Sequence, residues 1–228
     1  MSERHSLLDT IWDNLAPVHR DGWKFVAIAA IVSLFLWLVW PFLGWVGFGV
    51  TGWVAYFFRD PARVTPLRDG LVVSPGDGRV SAIERVRPPA ELGLGETERV
   101  RVSIFLSVFD VHINRAPIAG TITDVVYHKG EFLPAFDDKA SLRNEQNRAF
   151  IDGPAGRVGF TQIAGLIARR IVFRKKAGDV VARGEQVGLI RFGSRTDIFL
   201  PKGSAIRVKV GDRVSGGSSI IADLPKKS

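Results

Sequence analysis

Hydrophobic and polar residues follow two regimes along this chain. From Trp23 to Phe58 the sequence runs WKFVAIAAIVSLFLWLVWPFLGWVGFGVTGWVAYFF, with no charge after Lys24. A helix on a protein surface keeps a polar stripe, and this run has none, so no face of it suits water. At 1.5 Å per residue about 20 residues cross a bilayer, so the run suffices for one long tilted span or for two short segments turning at Pro41 to Gly44. It has no small-residue cleavage site and is far longer than a signal-peptide core, so it is expected to be retained as an N-terminal helical membrane anchor, spanning or re-entrant. A buried pair of core helices is the alternative.

Beyond Phe58 the period shortens to two. Val100, Val102, Ile104, Leu106 and Val108 alternate through RVRVSIFLSVF and share one face of a strand. Val72-Val73, Gly78 to Ile83 and Thr121 to Tyr127 also read as strands, with PGDG at 75–78 turning between the first two. Pro134 to Arg148 is polar and reads as a loop or short helix. Strands resume from Phe150, and GFTQIAGLIARRIVF reads as one or two of them. KAGDVVARGEQVGLI (176–190) and KVGDRVSGGSSIIAD (209–223) align at an offset of 33, each a Gly-Asp turn, a short strand, a Gly turn and a second short strand. This repeat predicts a mainly β fold, a β-sandwich or half-barrel. Its β repeats are similar to those of biotinyl and lipoyl carrier domains, without the lysine those domains modify. The expected organisation is a polar segment 1–22, a membrane-associated helical segment or hairpin 23–58, and a β domain 59–228 large enough for its own core.

Composition narrows the chemistry. The chain has no cysteine, which excludes disulfides and thiolate nucleophiles and leaves a hydroxyl, an amine or a carboxylate. The formal charge of +8 suits an acidic partner, and beside the apolar run that partner is a membrane surface. The basic residues are dispersed and not interleaved with aromatic platforms, which argues against nucleic acid. Arg4, His5, His19, Arg20 and Lys24 precede the apolar run while Arg59, Arg63 and Arg68 follow it. Basic flanks on both sides fit a hairpin whose ends face the cytoplasm, with the β domain on the cytoplasmic side of the cell membrane.

Five blocks carry a family likeness: SPGDGRV (74–80), FLSVFDVHINRAP (105–117), YHKGEFLPAF (127–136), KASLRNEQN (139–147) and FGSRTDIFLP (192–201). On these the chain resembles phosphatidylserine decarboxylase proenzymes of the short bacterial and archaeal type, from Phe57 to Val214. The resemblance implies conversion of phosphatidylserine to phosphatidylethanolamine and CO2 through a Schiff base with a self-generated pyruvoyl group. It implies that the Gly193–Ser194 bond breaks without hydrolysis, and that Ser194 becomes the pyruvoyl cofactor. Residues 1–193 and 194–228 would then stay together as a heterodimer of large and small chains, able to dimerise further. No metal is implied. Phe192 stands where leucine is common, and Arg195 where threonine is common in longer relatives.

The resemblance also assigns site residues. His112 becomes the acid-base group of decarboxylation, consistent with an imidazole exchanging protons near neutral pH. Many longer relatives carry a second histidine three residues on, where this chain has Arg115. Arginine stays protonated, so it suits binding the substrate carboxylate or phosphate. Asp77 matches the aspartate that works with the serine in cleavage. Asn144 and Glu145 match a paired Asn-Glu motif with a structural or headgroup-binding role, whereas His128, Lys129 and Glu131 equally suit the surface.

Elementary chemistry leads the same way. Loss of CO2 from an α-amino acid leaves a carbanion that no side chain delocalises, so an electron sink is required. Ser194 Oγ attacking the Gly193 carbonyl would give an ester. β-Elimination would release the Gly193 carboxylate and leave dehydroalanine, and hydrolysis would give a pyruvoyl group and ammonia. Two rival readings stand beside this one: a non-enzymatic, membrane-anchored carrier or scaffold domain in which Gly193-Ser194 is only a turn, and a pyruvoyl decarboxylase for another amino-acid headgroup.

Overall fold

The computed structural model describes residues 16–88, 97–133, 143–166, 170–191 and 193–225. The chain divides into two compact units, 1–62 and 63–228.

The first unit is a helical hairpin of α1 (Trp23–Val39) and α2 (Pro41–Phe57). Trp40 is extended, with φ −149° and ψ 102°, and Pro41 opens α2, where its missing N–H is not needed. The helices approach closely at small residues: Ser33 Oγ and Thr51 Oγ1 are 3.0 Å apart across the hairpin. A Cβ on Gly44 would stand 2.3 Å from Trp37 Cβ. Large apolar side chains such as Phe35, Leu38, Phe42 and Trp45 are exposed on the outside. The break at Trp40-Pro41 overturns the expected helical membrane anchor. Each helix has 17 residues, about 25 Å at 1.5 Å per residue, against a hydrocarbon core of about 30 Å. Among the described residues no helix is long and apolar enough to cross a membrane.

The second unit is mainly β, as the half-barrel reading expects. Its strands are β1 (Leu71–Val73), β2 (Gly78–Val86), β3 (Arg99–Leu106), β4 (Ile113–Arg115), β5 (Gly120–His128), β6 (Gln146–Gly153) and β7 (Gly156–Ala164). They continue with β8 (Arg170–Phe173), β9 (Val180–Val181), β10 (Gln186–Arg191), β11 (Ser194–Leu200), β12 (Ala205–Ile206), β13 (Arg213–Val214) and β14 (Ile220–Asp223). One eight-stranded sheet has the order β13-β2-β3-β11-β7-β6-β5-β9, and two three-stranded sheets have the orders β1-β14-β12 and β4-β10-β8.

Read from its two ends, the large sheet is two equivalent halves, β13-β2-β3-β11 and β9-β5-β6-β7, and each half has its own three-stranded sheet. The domain is therefore two copies of one seven-strand unit. Local geometry agrees: Gly178 and Gly211 have φ 93° and 94°, and Gly184 and Gly217 have 79° and 76°. Asp179 and Asp212 each accept a turn N–H, from Lys176 at 3.0 Å and Lys209 at 2.9 Å. One copy, β4 to β10, is continuous, whereas the other is split into β1–β3 and β11–β14. In the continuous copy β6 and β7 join through a tight turn at Pro154-Ala155. In the split copy the matching ends are Leu106 and Ser194, with the whole continuous copy between them. Gly193–Ser194 is thus where the chain re-enters its first half, at the head of a mid-sheet strand.

Alternation decides which face is core. Val102, Ile104 and Leu106 on β3, Val158 and Phe160 on β7, and Ile198 and Leu200 on β11 share a core with Val72, Val187 and Ile221 of the smaller sheets. Each such side chain contributes roughly 1.5–3 kcal/mol on full burial. Strand β6 starts at Gln146, earlier than the pattern predicts. Its opposite face is polar yet buried: Arg148 Nε donates to Gln146 Oε1 at 3.1 Å and its Nη1 donates to His128 Nε2 at 3.1 Å. Hydrogen bonding there replaces the apolar alternation that signals a strand. The expected loop or helix at 134–142 lies outside the described residues.

Candidate active site

Gly193 adopts φ +68°, a left-handed conformation that glycine takes without penalty. An added Cβ would meet nothing nearer than Val108 Cγ1 at 3.8 Å, so backbone conformation and not crowding selects glycine. Ser194 opens β11 opposite Leu106 of β3 and Ala164 of β7. It is fully buried on the core face, at 0 % exposure. Its Oγ has no hydrogen-bond partner among the described residues.

Both polar groups of Gly193 are held. Its N–H donates to His112 Nε2 at 3.1 Å, and its carbonyl accepts the Gly165 N–H at 3.1 Å. His112 Nδ1 lies 2.9 Å from the Asp110 carbonyl, which can only accept. The ring is therefore the Nδ1–H tautomer, with the Nε2 lone pair turned to Gly193. Asp110 fixes the turn that delivers this ring. One carboxylate oxygen accepts the Ser107 N–H at 2.9 Å and the Ser107 hydroxyl at 2.8 Å, and the other accepts Arg213 at 2.6 Å.

A buried amide file runs along the same core face. Asn147 Nδ2 donates to Gln162 Oε1 at 3.2 Å, and Gln162 Nε2 donates to Asn114 Oδ1 at 2.8 Å. Gln162 stands opposite Thr196 of β11. Asn114 Nδ2 and Thr196 Oγ1 are buried and, like Ser194 Oγ, bond to nothing among the described residues. A buried polar atom left unpaired costs about 1–3 kcal/mol, so Ser194 Oγ, Asn114 Nδ2 and Thr196 Oγ1 are candidate contacts for a polar ligand on this face.

The remaining sequence-predicted residues lie in different surroundings. Asp77 accepts Arg63 at 2.6 Å and the Gly216 N–H at 2.8 Å. Burial raises its pKa against the lowering pull of the Gly216 N–H and Arg63. Arg115 donates to the Gly184 carbonyl at 3.1 Å. Asn144 is a clamp: its amide bonds both main-chain groups of Leu133 and donates to the Ala164 carbonyl at 2.8 Å. Through Ala164 it braces Gly165. Glu145 is engaged by the Tyr127 hydroxyl. Arg195 points to the face opposite Ser194, in a buried two-pronged ion pair with Asp197 at 2.9 and 3.0 Å, so this departure from the common threonine leaves the serine side of the strand untouched. Phe192 lies outside the described residues.

Sequence reading missed Gly165, Asp110, Gln162 and Thr196. Asp110 had a signal, the Ser-x-x-Asp turn before His112. Gly165 contributes a main-chain N–H, which leaves no side-chain signature.

A family model described as phosphatidylserine decarboxylase matches residues 50–222. The chain belongs to that family. The phosphatidylserine decarboxylase proenzyme of Cereibacter sphaeroides is 52% identical over 218 residues, 95% of this chain and 94% of the relative. Membership implies a self-generated pyruvoyl cofactor, and the residues present fit one. A buried serine hydroxyl without a partner adjoins a carbonyl that already receives a hydrogen bond, beside an imidazole with its lone pair turned to the same glycine.

Proposed function

We propose that this chain decarboxylates phosphatidylserine to phosphatidylethanolamine and CO2 with a pyruvoyl group derived from Ser194, and that the same buried site first breaks its own Gly193–Ser194 bond. The carrying observation is the held Gly193 peptide beside an unpaired Ser194 hydroxyl. Attack of Oγ on the Gly193 carbonyl moves negative charge onto the oxygen that faces the Gly165 N–H. One such preorganised donor is worth about 2.7–4 kcal/mol in a water-excluded site. His112 Nε2 takes and returns the proton that leaves the hydroxyl and reaches the Ser194 nitrogen, a role worth roughly 10²–10⁴-fold.

After cleavage β11 remains paired to β3 on one side and β7 on the other. Residues 194–228 therefore stay within the sheet of residues 1–193 as a heterodimer. In decarboxylation the pyruvoyl group supplies the electron sink that side chains lack. The chain's own residues do the rest. Burial excludes water, His112 holds and moves a proton at Nε2, and the unpaired Asn114 amide and Thr196 hydroxyl bind polar headgroup atoms. Asn144 keeps Gly165 in place, and Arg115 and Asp77 support the surrounding turns. The catalytic unit works at the cytoplasmic side of the cell membrane.

Incubation with phosphatidylserine vesicles is expected to yield phosphatidylethanolamine. Cyanoborohydride added during turnover is expected to fix the lipid covalently to the fragment beginning at residue 194. Product formation with the lipid trapped elsewhere, or no product, would contradict the proposal.

A further inference from the structure

Resting on that reading, we infer that two loop tips beside the Gly193 peptide, carrying Phe109 and Leu166, form the face that seats on the phospholipid bilayer. The substrate keeps its acyl chains in hydrocarbon while its headgroup must reach a residue with 0 % exposure. The protein surface next to Ser194 therefore meets the membrane, and it carries apolar groups suited to that. Phe109 is 60% exposed and Leu166 63% exposed. Each is one residue from a group that faces Gly193: a Cβ on Gly193 would lie 3.8 Å from Val108 Cγ1, and Gly165 donates to the Gly193 carbonyl.

The Phe109 tip is rigid, since Asp110 closes the turn through Ser107. Arg213, bonded to Asp110, leaves its side chain 67% exposed beside Phe109. Arg170, exposed at the start of β8, pairs in register with Arg191, two residues before Gly193. Apolar tips with the exposed Arg213 and Arg170 nearby match an anionic lipid surface, with the side chains in the acyl boundary and the guanidinium groups among the phosphates. This places the docking surface on the catalytic unit itself.

The absence of cysteine permits a direct test. Single-cysteine variants Phe109→Cys, Leu166→Cys and Val180→Cys of the full chain, each labelled with the polarity-sensitive fluorophore NBD, are mixed with phosphatidylglycerol/phosphatidylcholine vesicles containing quencher-labelled lipid. Val180 is exposed on the short strand β9 at the far edge of the sheet. Blue-shifted, quenched emission at 109 and 166 with aqueous emission at 180 is the expected result. Aqueous emission at 109 and 166 while the protein sediments with vesicles would overturn the inference, whatever the enzyme's activity. In parallel, Phe109→Glu with Leu166→Glu is expected to lower the ratio of turnover on vesicle-borne phosphatidylserine to turnover on monomeric short-chain phosphatidylserine. The drop should be roughly tenfold or more, as expected for placing charge where apolar groups meet lipid. An unchanged ratio would overturn the docking face. Wild-type protein inactive on both lipids would instead count against the proposed reaction and leave the fluorescence result to judge the face.

Discussion

His112 Nε2 accepts the amide hydrogen of Gly193 at 3.1 Å, so the one imidazole at the site faces the peptide immediately before Ser194. Its other nitrogen is committed to the Asp110 carbonyl, which fixes both tautomer and orientation. His112→Gln keeps a polar group near Gly193 but cannot exchange protons. Its decarboxylation rate is expected to fall by about 10²–10⁴-fold, measured as phosphatidylethanolamine formed per cleaved molecule so that any cleavage defect is divided out. Wild-type turnover by cleaved His112→Gln would remove the histidine from the chemistry.

Gly165 acts through its main chain. Gly165→Ala keeps the N–H and is expected to cleave close to the wild-type rate. Gly165→Pro removes the N–H and is expected to slow cleavage about 10²–10³-fold. Gel densitometry of freshly synthesised precursor gives both rates, and circular dichroism checks that the proline variant folds. Equal rates in two folded variants would deny Gly165 a part in holding the developing charge.

The Arg195–Asp197 pair makes a prediction about stability and not about chemistry. Both side chains are almost wholly buried, at 5% and 2% exposure. Replacing arginine with the threonine common in longer relatives strands a carboxylate in the sheet. Arg195→Thr is expected to lose about 3–5 kcal/mol of stability, and Arg195→Thr with Asp197→Thr to recover much of it. Denaturant unfolding of both variants is the measurement, and a single variant as stable as wild type would show that Arg195 does not offset the buried Asp197 charge.

Asp77 sets a pH dependence. Burial raises its pKa in the folded state despite the Gly216 N–H and Arg63, so the folded chain binds this proton more tightly than the unfolded chain, whose carboxyl titrates near about 3.9. The group's contribution is therefore fully present below that value and is lost as pH rises through the raised folded pKa. The stability difference between wild type and Asp77→Asn is expected to decline across this window and level off above it. A difference that grows with pH would have the wrong sign.

Several of these relationships were legible in the sequence. The period-two alternation of β3 gave its core face correctly at Val102, Ile104 and Leu106, and the matched Gly-Asp turns disclosed one strand pair of each copy. The full duplication was hidden because the rest of the unit, such as β1–β2 and β4–β5, shares strand geometry with little sequence. Hydropathy found the apolar hairpin but could not show that the break at Trp40-Pro41 leaves two helices too short to cross a membrane. At the site, Ser194 and His112 carried recognisable motifs. Gly165, and the file from Asn147 through Gln162 to Asn114, depend on strand register, which brings positions far apart in sequence onto one face.

Intact-protein mass spectrometry of the wild type and Ser194→Ala shows whether this chain makes its electron sink from Ser194. Two wild-type fragments meeting at Gly193/Ser194, the smaller blocked by pyruvoyl, with an uncut alanine variant, are the predicted result. A single unmodified wild-type chain, or cleavage that persists in Ser194→Ala, would contradict it.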